Sequence, residues 1–297
     1  MGSVMRPAWL NKKINLRDCA EMRARIDDPG LNTVCEEALC PNIGECSKKG
    51  QATFLILGKY CTRQCAFCGV KRGIPPPVDP AEPARVAAGA ARLGLNHIVI
   101  TSVTRDDLAD GGAQVFIDTI GSIRAMGRRV TIEILTPDFN FNKDVIRKVA
   151  FSSPDIFAHN IETVPRLYAK ARKGADYGRS LSVLAYIKEC DSSMPVKSGI
   201  MLGLGEMEEE VLGTINDIAR TGCDFLSIGQ YLAPGKNHLP VAEYLPPEKF
   251  DFYREKAYAS GFRHVMSGPY VRSSYLSGEY LEKISKDPEK VDIIGRK

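Results

Sequence analysis

The sequence predicts an α/β protein: a parallel sheet covered by helices and curled into a partial barrel of six strand–helix units. Three observations lead there. From Gln51 onward, short apolar runs rich in β-formers alternate with longer amphipathic runs. The apolar runs carry too few polar positions to face water on either side, as expected of parallel strands buried under helices. The chain past Gln51 is also too short for a comfortable eight-unit barrel of about 250 residues. Six units therefore fit better than eight, with an open doubly wound sheet as the other parallel arrangement.

In chain order, strands are expected at 52–58, 97–103, 129–137, 156–163, 196–205 and 225–233. Helices are expected between and after them, at 80–93, 113–126, 143–151, 181–190, 206–220 and 247–260. Asp79 ahead of Pro80 suits a helix start, as does the acidic first turn at 206–210. Gly94, Gly127, Gly222 and Gly261 fall where a helix end calls for a left-handed residue. In either architecture the active site gathers at the C-terminal ends of the strands. Residues 1–50 break the pattern: they are polar, turn at Asp27-Asp28-Pro29-Gly30, and read as an extension wrapped over the barrel. The tail after Tyr280 is charged and reads as loosely held.

Composition narrows the class. Hydrophobic residues are 44% of the 297 and charged residues 26%, which excludes a disordered, collagenous or membrane-embedded chain. A net charge of +4 is too small for a dedicated nucleic-acid binder. There is no apolar run of about 18 residues to cross a membrane. The N-terminus carries Arg6, Lys12 and Lys13 without an apolar core, so it is not read as a signal peptide, and a cytoplasmic location is expected.

Nine cysteines are the unusual feature, and six of them fall between positions 35 and 68. In a reducing compartment an odd, clustered set reads as metal or iron–sulfur ligation rather than as disulfides. Cys61, Cys65 and Cys68 lie in a C-x3-C-x2-C run directly after the first expected strand. A loop there can wrap three thiols round one centre, and three ligands leave an iron open to bind a small molecule. A structural zinc knuckle would favour two separated pairs, and an electron-transfer cluster a fourth cysteine. Cys35, Cys40 and Cys46 form a second triplet with x4 and x5 gaps, turned by Pro41 and Gly44. Cys19, Cys190 and Cys223 stand alone, and the last two read as packed core thiols.

The first of these spacings, with Phe67 before the last cysteine, resembles the signature of the radical AdoMet enzymes. That resemblance implies a [4Fe–4S] cluster on Cys61, Cys65 and Cys68 whose open iron chelates S-adenosyl-L-methionine. It also implies a partial (β/α)6 barrel, in agreement with the six units. Phe67 would lie beside the cofactor. Asn160 and Glu162, in His159-Asn160-Ile161-Glu162-Thr163, would meet the ribose hydroxyls, and Gly203 and Gly205 would let backbone approach the adenine.

The whole pattern from Arg6 to Tyr275 resembles the lipoyl synthases more specifically. It includes both triplets, Thr101-Ser-Val-Thr-Arg-Asp-Asp-Leu108, Lys197-Ser-Gly-Ile200, His238-Leu-Pro240 and Arg272-Ser-Ser-Tyr275. Ser47 departs from it, where the family usually has tryptophan. The resemblance implies an auxiliary [4Fe–4S] cluster on Cys35, Cys40 and Cys46, with a serine of the Arg-Ser-Ser-Tyr run as fourth ligand: Ser274, with Ser273 the other choice. It divides the chain into an extension over 1–50, a barrel over 51–263 and a C-terminal extension over 264–297.

The implied reaction inserts two sulfurs at C6 and C8 of an octanoyl chain amide-linked to a carrier lysine. Such C–H bonds are too inert for acid–base chemistry, which accounts for the absence of any triad or nucleophile signature. Implied partners are an octanoylated lipoyl-carrier domain, an electron donor such as a ferredoxin or flavodoxin, and an iron–sulfur carrier for cluster repair; no nucleic acid and no membrane. Arg105, Asp106, Asp107 and Arg272 are expected to face substrate. The competing readings are a biotin-synthase-like sulfur inserter, opposed by the upstream triplet, and a non-catalytic two-cluster carrier, which would need neither open iron nor Asn160 and Glu162.

Overall fold

The computed structural model describes residues 5–11, 30–34, 40 and 42–280, the side chains of Ile43 and Ser47 excepted. Cys19, Cys35 and the charged tail from 281 lie outside the described residues. In chain order the strands are β1 (Gln51–Ile56), β2 (Tyr60–Cys61), β3 (Lys71–Arg72), β4 (His97–Ser102) and β5 (Thr131–Leu135). They continue with β6 (Ile156–Ala158), β7 (Val196–Leu202), β8 (Phe225–Gln230) and β9 (His264–Gly268). The helices are α1 (Ile43–Lys48), α2 (Glu82–Arg92), α3 (Ala113–Arg124) and α4 (Lys143–Ala150). After them come α5 (Pro165–Ala171), α6 (Tyr177–Cys190), α7 (Glu208–Arg220) and α8 (Pro247–Ala259).

Seven strands form one all-parallel sheet in the order β1-β4-β5-β6-β7-β8-β9, and β2 and β3 make a separate two-residue ribbon. β1, β6 and β8 are buried along their whole length, as a sheet covered on both faces requires. Each of the six expected units is present. Five of these elements lie outside the expected set: the short helix α1, the β2 and β3 ribbon strands, α5 and β9. β9 extends the sheet to seven strands, and it lies inside the stretch expected to be a C-terminal extension from 264. α5 fills part of the gap before β7. The expected strand 156–163 is also shorter: it ends at Ala158, His159 N–H still donates to the Lys197 carbonyl at 3.1 Å, and the chain meets the sheet again where Glu162 bridges Ile200.

The β1 edge of the sheet is covered by chain from outside the repeating pattern. At β1, Leu55 N–H donates to the Asn32 carbonyl at 2.8 Å and Thr33 bridges Phe54. This hides backbone groups that an open edge would expose. Beyond β9 the chain turns back across β8 to Tyr280, fully buried against Phe225 and His264, with its hydroxyl 2.9 Å from Ser227 Oγ. Between the strands lies a buried charged cluster. Lys197 Nζ donates to Glu133 at 2.9 Å and sits 4.1 Å from the Tyr280 ring centroid, while His97 faces Glu133 at 3.6 Å. A buried ammonium is tolerable only when paired in this way.

Candidate functional site

β1 ends in a left-handed turn, with Leu57 at φ 68° and Gly58 at φ 86°. Glu82, at the start of α2, secures that turn by accepting the Leu57 N–H at 2.7 Å. The cysteine loop follows and is held at three points: the loop after β4, the end of α5 and the loop after β8. Thr62 N–H donates to the Thr104 carbonyl at 3.1 Å, Ala66 N–H to Ala171 at 2.8 Å, and Leu239 N–H to Ala66 at 2.9 Å. The Cys61 sulfur accepts the Thr104 N–H at 3.3 Å, and His238 Nε2 lies 3.1 Å from the Cys68 carbonyl.

Arg63, between the first two cysteines, clamps the loop. Its guanidinium grips Asp106 through two 2.8 Å bonds and Asp138 through bonds of 3.0 and 2.7 Å. Burial works against the Arg63 charge, but the two carboxylates outweigh it and keep the group firmly protonated. Burial likewise opposes the Asp138 charge, yet Arg63, His159 and Arg179 hold that carboxyl well below its usual range.

Burial pushes the Cys68 thiol up to about 12, and Cys65, Cys61 and Glu162 add to it. Cys65 is raised by burial too, against the pull of Arg172. The three sulfurs, Glu162 and Arg172 thus share one electrostatic neighbourhood. Glu162 holds a left-handed φ of 72°, uncommon for a residue with a side chain, and such outliers gather at functional sites. Its carboxylate accepts Asn160 Nδ2–H at 3.1 Å. Burial raises the Glu162 carboxyl, with Arg172 and Asn160 opposing. Arg172 donates to the Asn160 carbonyl at 2.9 Å, the Tyr168 hydroxyl at 2.6 Å and Ser180 Oγ at 3.0 Å.

A second site lies against the start of β1. One cavity is lined by Cys40, Cys46, Arg272, Ser274, Tyr275 and Ser277, with Gln51 and Val99 behind them. The C-terminal loop is tied to α1, which carries Cys46. The Tyr275 hydroxyl donates to Glu45 at 2.8 Å, Asn42 Nδ2 to the Tyr270 carbonyl at 2.7 Å, and Lys49 pairs with Glu279. Lys197 Nζ donates to the Ser273 carbonyl at 2.5 Å, and Ser273 Oγ–H to Asn160 Oδ1 at 2.8 Å. Adjacent serines therefore face different places: Ser273 toward Asn160, Ser274 into the cavity.

The other expected residues are placed as follows. Phe67 is half-buried and packed on the core. Gly203 has φ 98°, and a side chain there would overlap Gln230 and the Glu243 carbonyl, so its open face is filled by protein. Gly205, at φ 105°, has only Ala242 Cβ near, at 3.6 Å. Arg105 pairs with Asp107 at 2.9 Å, and Asp106 is taken up by Arg63. Arg272 is half-buried, lines the same cavity as Cys40 and donates to the Val271 carbonyl at 2.7 Å. Arg63, Arg172 and His238 were not singled out for the site. Of the three, only His238 lies in a segment the family resemblance marks, His238-Leu-Pro240; the two arginines act through groups brought to them by the fold.

Three thiols on the loop after β1 fit an iron–sulfur cluster, which takes one thiolate per iron. Among the described residues no three His, Cys, Asp or Glu side chains converge on one ion's position. A cluster asks for wider spacing, because each thiolate binds a different iron. Ser277 Oγ is fully buried in the second cavity with no partner among the described residues, an orphan that a bound group would satisfy.

A parallel barrel with three thiols on the loop after its first strand defines the class. The Radical SAM superfamily matches residues 55–218, and the chain is one of its members. Such proteins carry an iron–sulfur cluster and S-adenosylmethionine. A solved structure of SuiB from Streptococcus suis, bound to its precursor peptide SuiA, shares the fold at a TM-score of 0.58 and 14% identity, covering 76% of this chain and 52% of that one.

Two curated relatives are far nearer in sequence. Lipoyl synthase of Geobacter metallireducens is 55% identical over 280 residues, 94% of this chain and 99% of that one. Lipoyl synthase of Geobacter sp. strain M21 is 52% identical over 289 residues, 97% and 99% respectively. The chain belongs to the lipoyl synthase family, as its two cysteine triplets and terminal Arg-Ser-Ser-Tyr implied.

Proposed function

We propose that this chain completes the lipoyl group, inserting sulfur at C6 and C8 of an octanoyl chain held in amide linkage on a lysine of a carrier domain. The observation that carries this reading is the pairing of two sites through one loop: Cys40, Cys46 and Ser274 line one cavity, while Ser273 reaches the segment beside Cys61, Cys65 and Cys68. When bound, two [4Fe–4S] clusters and S-adenosyl-L-methionine would supply an electron, a hydrogen-abstracting deoxyadenosyl radical and sulfide.

The protein's part is ligation, placement and exclusion of water. Cys61, Cys65 and Cys68 hold the first cluster, and Asn160 and Glu162 bind the ribose hydroxyls. Arg172 offsets their carboxylate and thiolate charge. Cys35, Cys40, Cys46 and Ser274 hold the second. A serine alkoxide is a harder, poorer partner for iron than a thiolate, so Ser274 would hold that cluster less firmly than the three cysteines do. Arg272 keeps the Ser274 loop in place from beside Cys40. The Arg105–Asp107 pair beyond the β4 end would face the substrate. The carrier domain, a ferredoxin- or flavodoxin-type reductant and an iron–sulfur carrier are the partners, in the cytoplasm. Among the described residues no helix is long and apolar enough to cross a membrane.

The test is anaerobic. The protein is reconstituted with iron and sulfide, its iron counted, and AdoMet, a reductant and an octanoyl-lysyl peptide are added. About eight irons per chain, deoxyadenosine and a dithiolated peptide are expected. Four irons or fewer with AdoMet intact would overturn the reading. Deoxyadenosine without thiolated peptide would retain the radical chemistry and reject the substrate.

A further inference from the structure

The Arg-Ser-Ser-Tyr run contains two serines, and the proposed ligation uses one. Ser273 has a different set of contacts. Its carbonyl accepts from Lys197 Nζ at 2.5 Å, and its hydroxyl lies 2.8 Å from Asn160 Oδ1. The direction of that second bond follows from chemistry: an ionised Glu162 can only accept, so the Asn160 amide turns its NH2 toward Glu162 at 3.1 Å and its oxygen toward Ser273. The hydroxyl must then donate.

Gly199 on β7 makes the approach possible. A Cβ there would lie 2.8 Å from Ser273 Oγ and 2.9 Å from Asn160 Oδ1, closer than packed atoms tolerate. Lys197 and Gly199 both belong to Lys197-Ser-Gly-Ile200, a run to which no role was attached. Lys197 receives the backbone of the C-terminal loop, and Gly199 leaves room for its side chain.

We propose that Ser273 is a positioning residue that couples the two sites. By fixing Asn160, it orders the segment that contacts AdoMet; by the same bond, AdoMet binding orders the loop that carries Ser274. Coupling of this kind is reciprocal: whatever affinity the loop lends to AdoMet, AdoMet returns as order in the loop. The proposal rests on the reading of Asn160 and Glu162 as AdoMet contacts.

The experiment uses the full, anaerobically reconstituted protein and AdoMet as the probe. AdoMet affinity is measured by equilibrium dialysis, loop order by amide hydrogen exchange over 270–278 with and without AdoMet, and iron content alongside. Ser273→Ala should bind AdoMet roughly two- to tenfold more weakly, the range one neutral hydrogen bond commands, with iron content unchanged. The extra protection that AdoMet confers on the loop should vanish. Gly199→Ala, which leaves both partners chemically intact but forces them apart, should reproduce both effects, and the double variant should add little. Parental affinity and protection in Ser273→Ala, while Asn160→Ala loses affinity, would overturn the proposal. So would loss of iron in Ser273→Ala, as expected of Ser274→Ala, because Ser273 would then be a ligand. Parental affinity in Asn160→Ala would overturn the AdoMet reading of the segment, and the coupling with it.

Discussion

Arg63 sits between Cys61 and Cys65 in the sequence and between Asp106 and Asp138 in space. Its side chain is 6% exposed and that of Asp138 fully buried, so removing one partner strands a charge. Arg63→Met is expected to cost about 3–5 kcal/mol in urea unfolding, as breaking a buried pair does, with Arg179 covering part of the loss. His159 gives a pH signature. Burial, reinforced by Arg172, pushes its pKa down to about 3, against about 6.5 when unfolded. Between those values the unfolded chain binds the extra proton, so stability falls as pH falls below about 6.5. Asp138 acts in a separate window: its depressed carboxyl contributes stability above about 4 that is lost at lower pH. Glu162, raised by burial, works in the opposite sense above about 4.5 and cancels when variant and parent are compared. Between pH 7.5 and 5.5 the parent should lose about 1 kcal/mol more than His159→Gln, read from urea midpoints at the two pH values. An equal loss in both would assign the slope elsewhere.

At the scale of elements, the C-terminal loop depends on what β7 and β8 leave open. A side chain at Gly229 on β8 would overlap the Val271 carbonyl, a backbone atom that cannot swing aside. Gly229→Ala should therefore cost about 1–3 kcal/mol and shed iron from the second site before the first. Tyr280 closes the same region from below, packed on Phe225 at 5.2 Å between ring centroids. Tyr280→Ala should cost about 3–5 kcal/mol by thermal or urea unfolding, the range for deleting a buried aromatic ring. The elements missed in the sequence have identifiable causes. α5 spans seven residues, fewer than two turns, and shows no period to read. β9 is only half-buried at its end and carries histidine, serine and glycine, so it lacks the apolar run that marked β1 or β8. The 156–163 run looked like one strand because Ile161 and Thr163 are β-formers, yet their burial comes from the turn around Glu162.

At the scale of the molecule, the proposed function gives the two cysteine triplets separate sites. Cys65→Ala should leave about four irons, all in the second site, and lose AdoMet binding. Cys40→Ala should leave about four irons in the first site and retain AdoMet binding. Iron content with dialysis separates the two, and loss of all iron from either variant would contradict two separately loaded sites. The residues that build the second cavity come from opposite ends of the chain. Glu45 and Tyr275 meet across 230 positions, and Asn42 and Tyr270 across 228.

The sequence by itself determined the alternation of strand and helix, the thiol positions and the family, because each is written over a few adjacent residues or in a fixed period. Spacing alone brings Cys61, Cys65 and Cys68 onto one loop, and burial on both faces is plain in a run such as Phe54-Leu-Ile56. Only the tertiary structure decided which serine turns to Cys40 and Cys46, which arginines steady the cysteine loop, and where Asp106 spends its charge. Those outcomes depend on contacts between residues tens to hundreds of positions apart. Adjacent serines have identical chemistry, and the direction each takes is set by what β7 places beneath them: a lysine for the Ser273 carbonyl and a glycine beneath its hydroxyl.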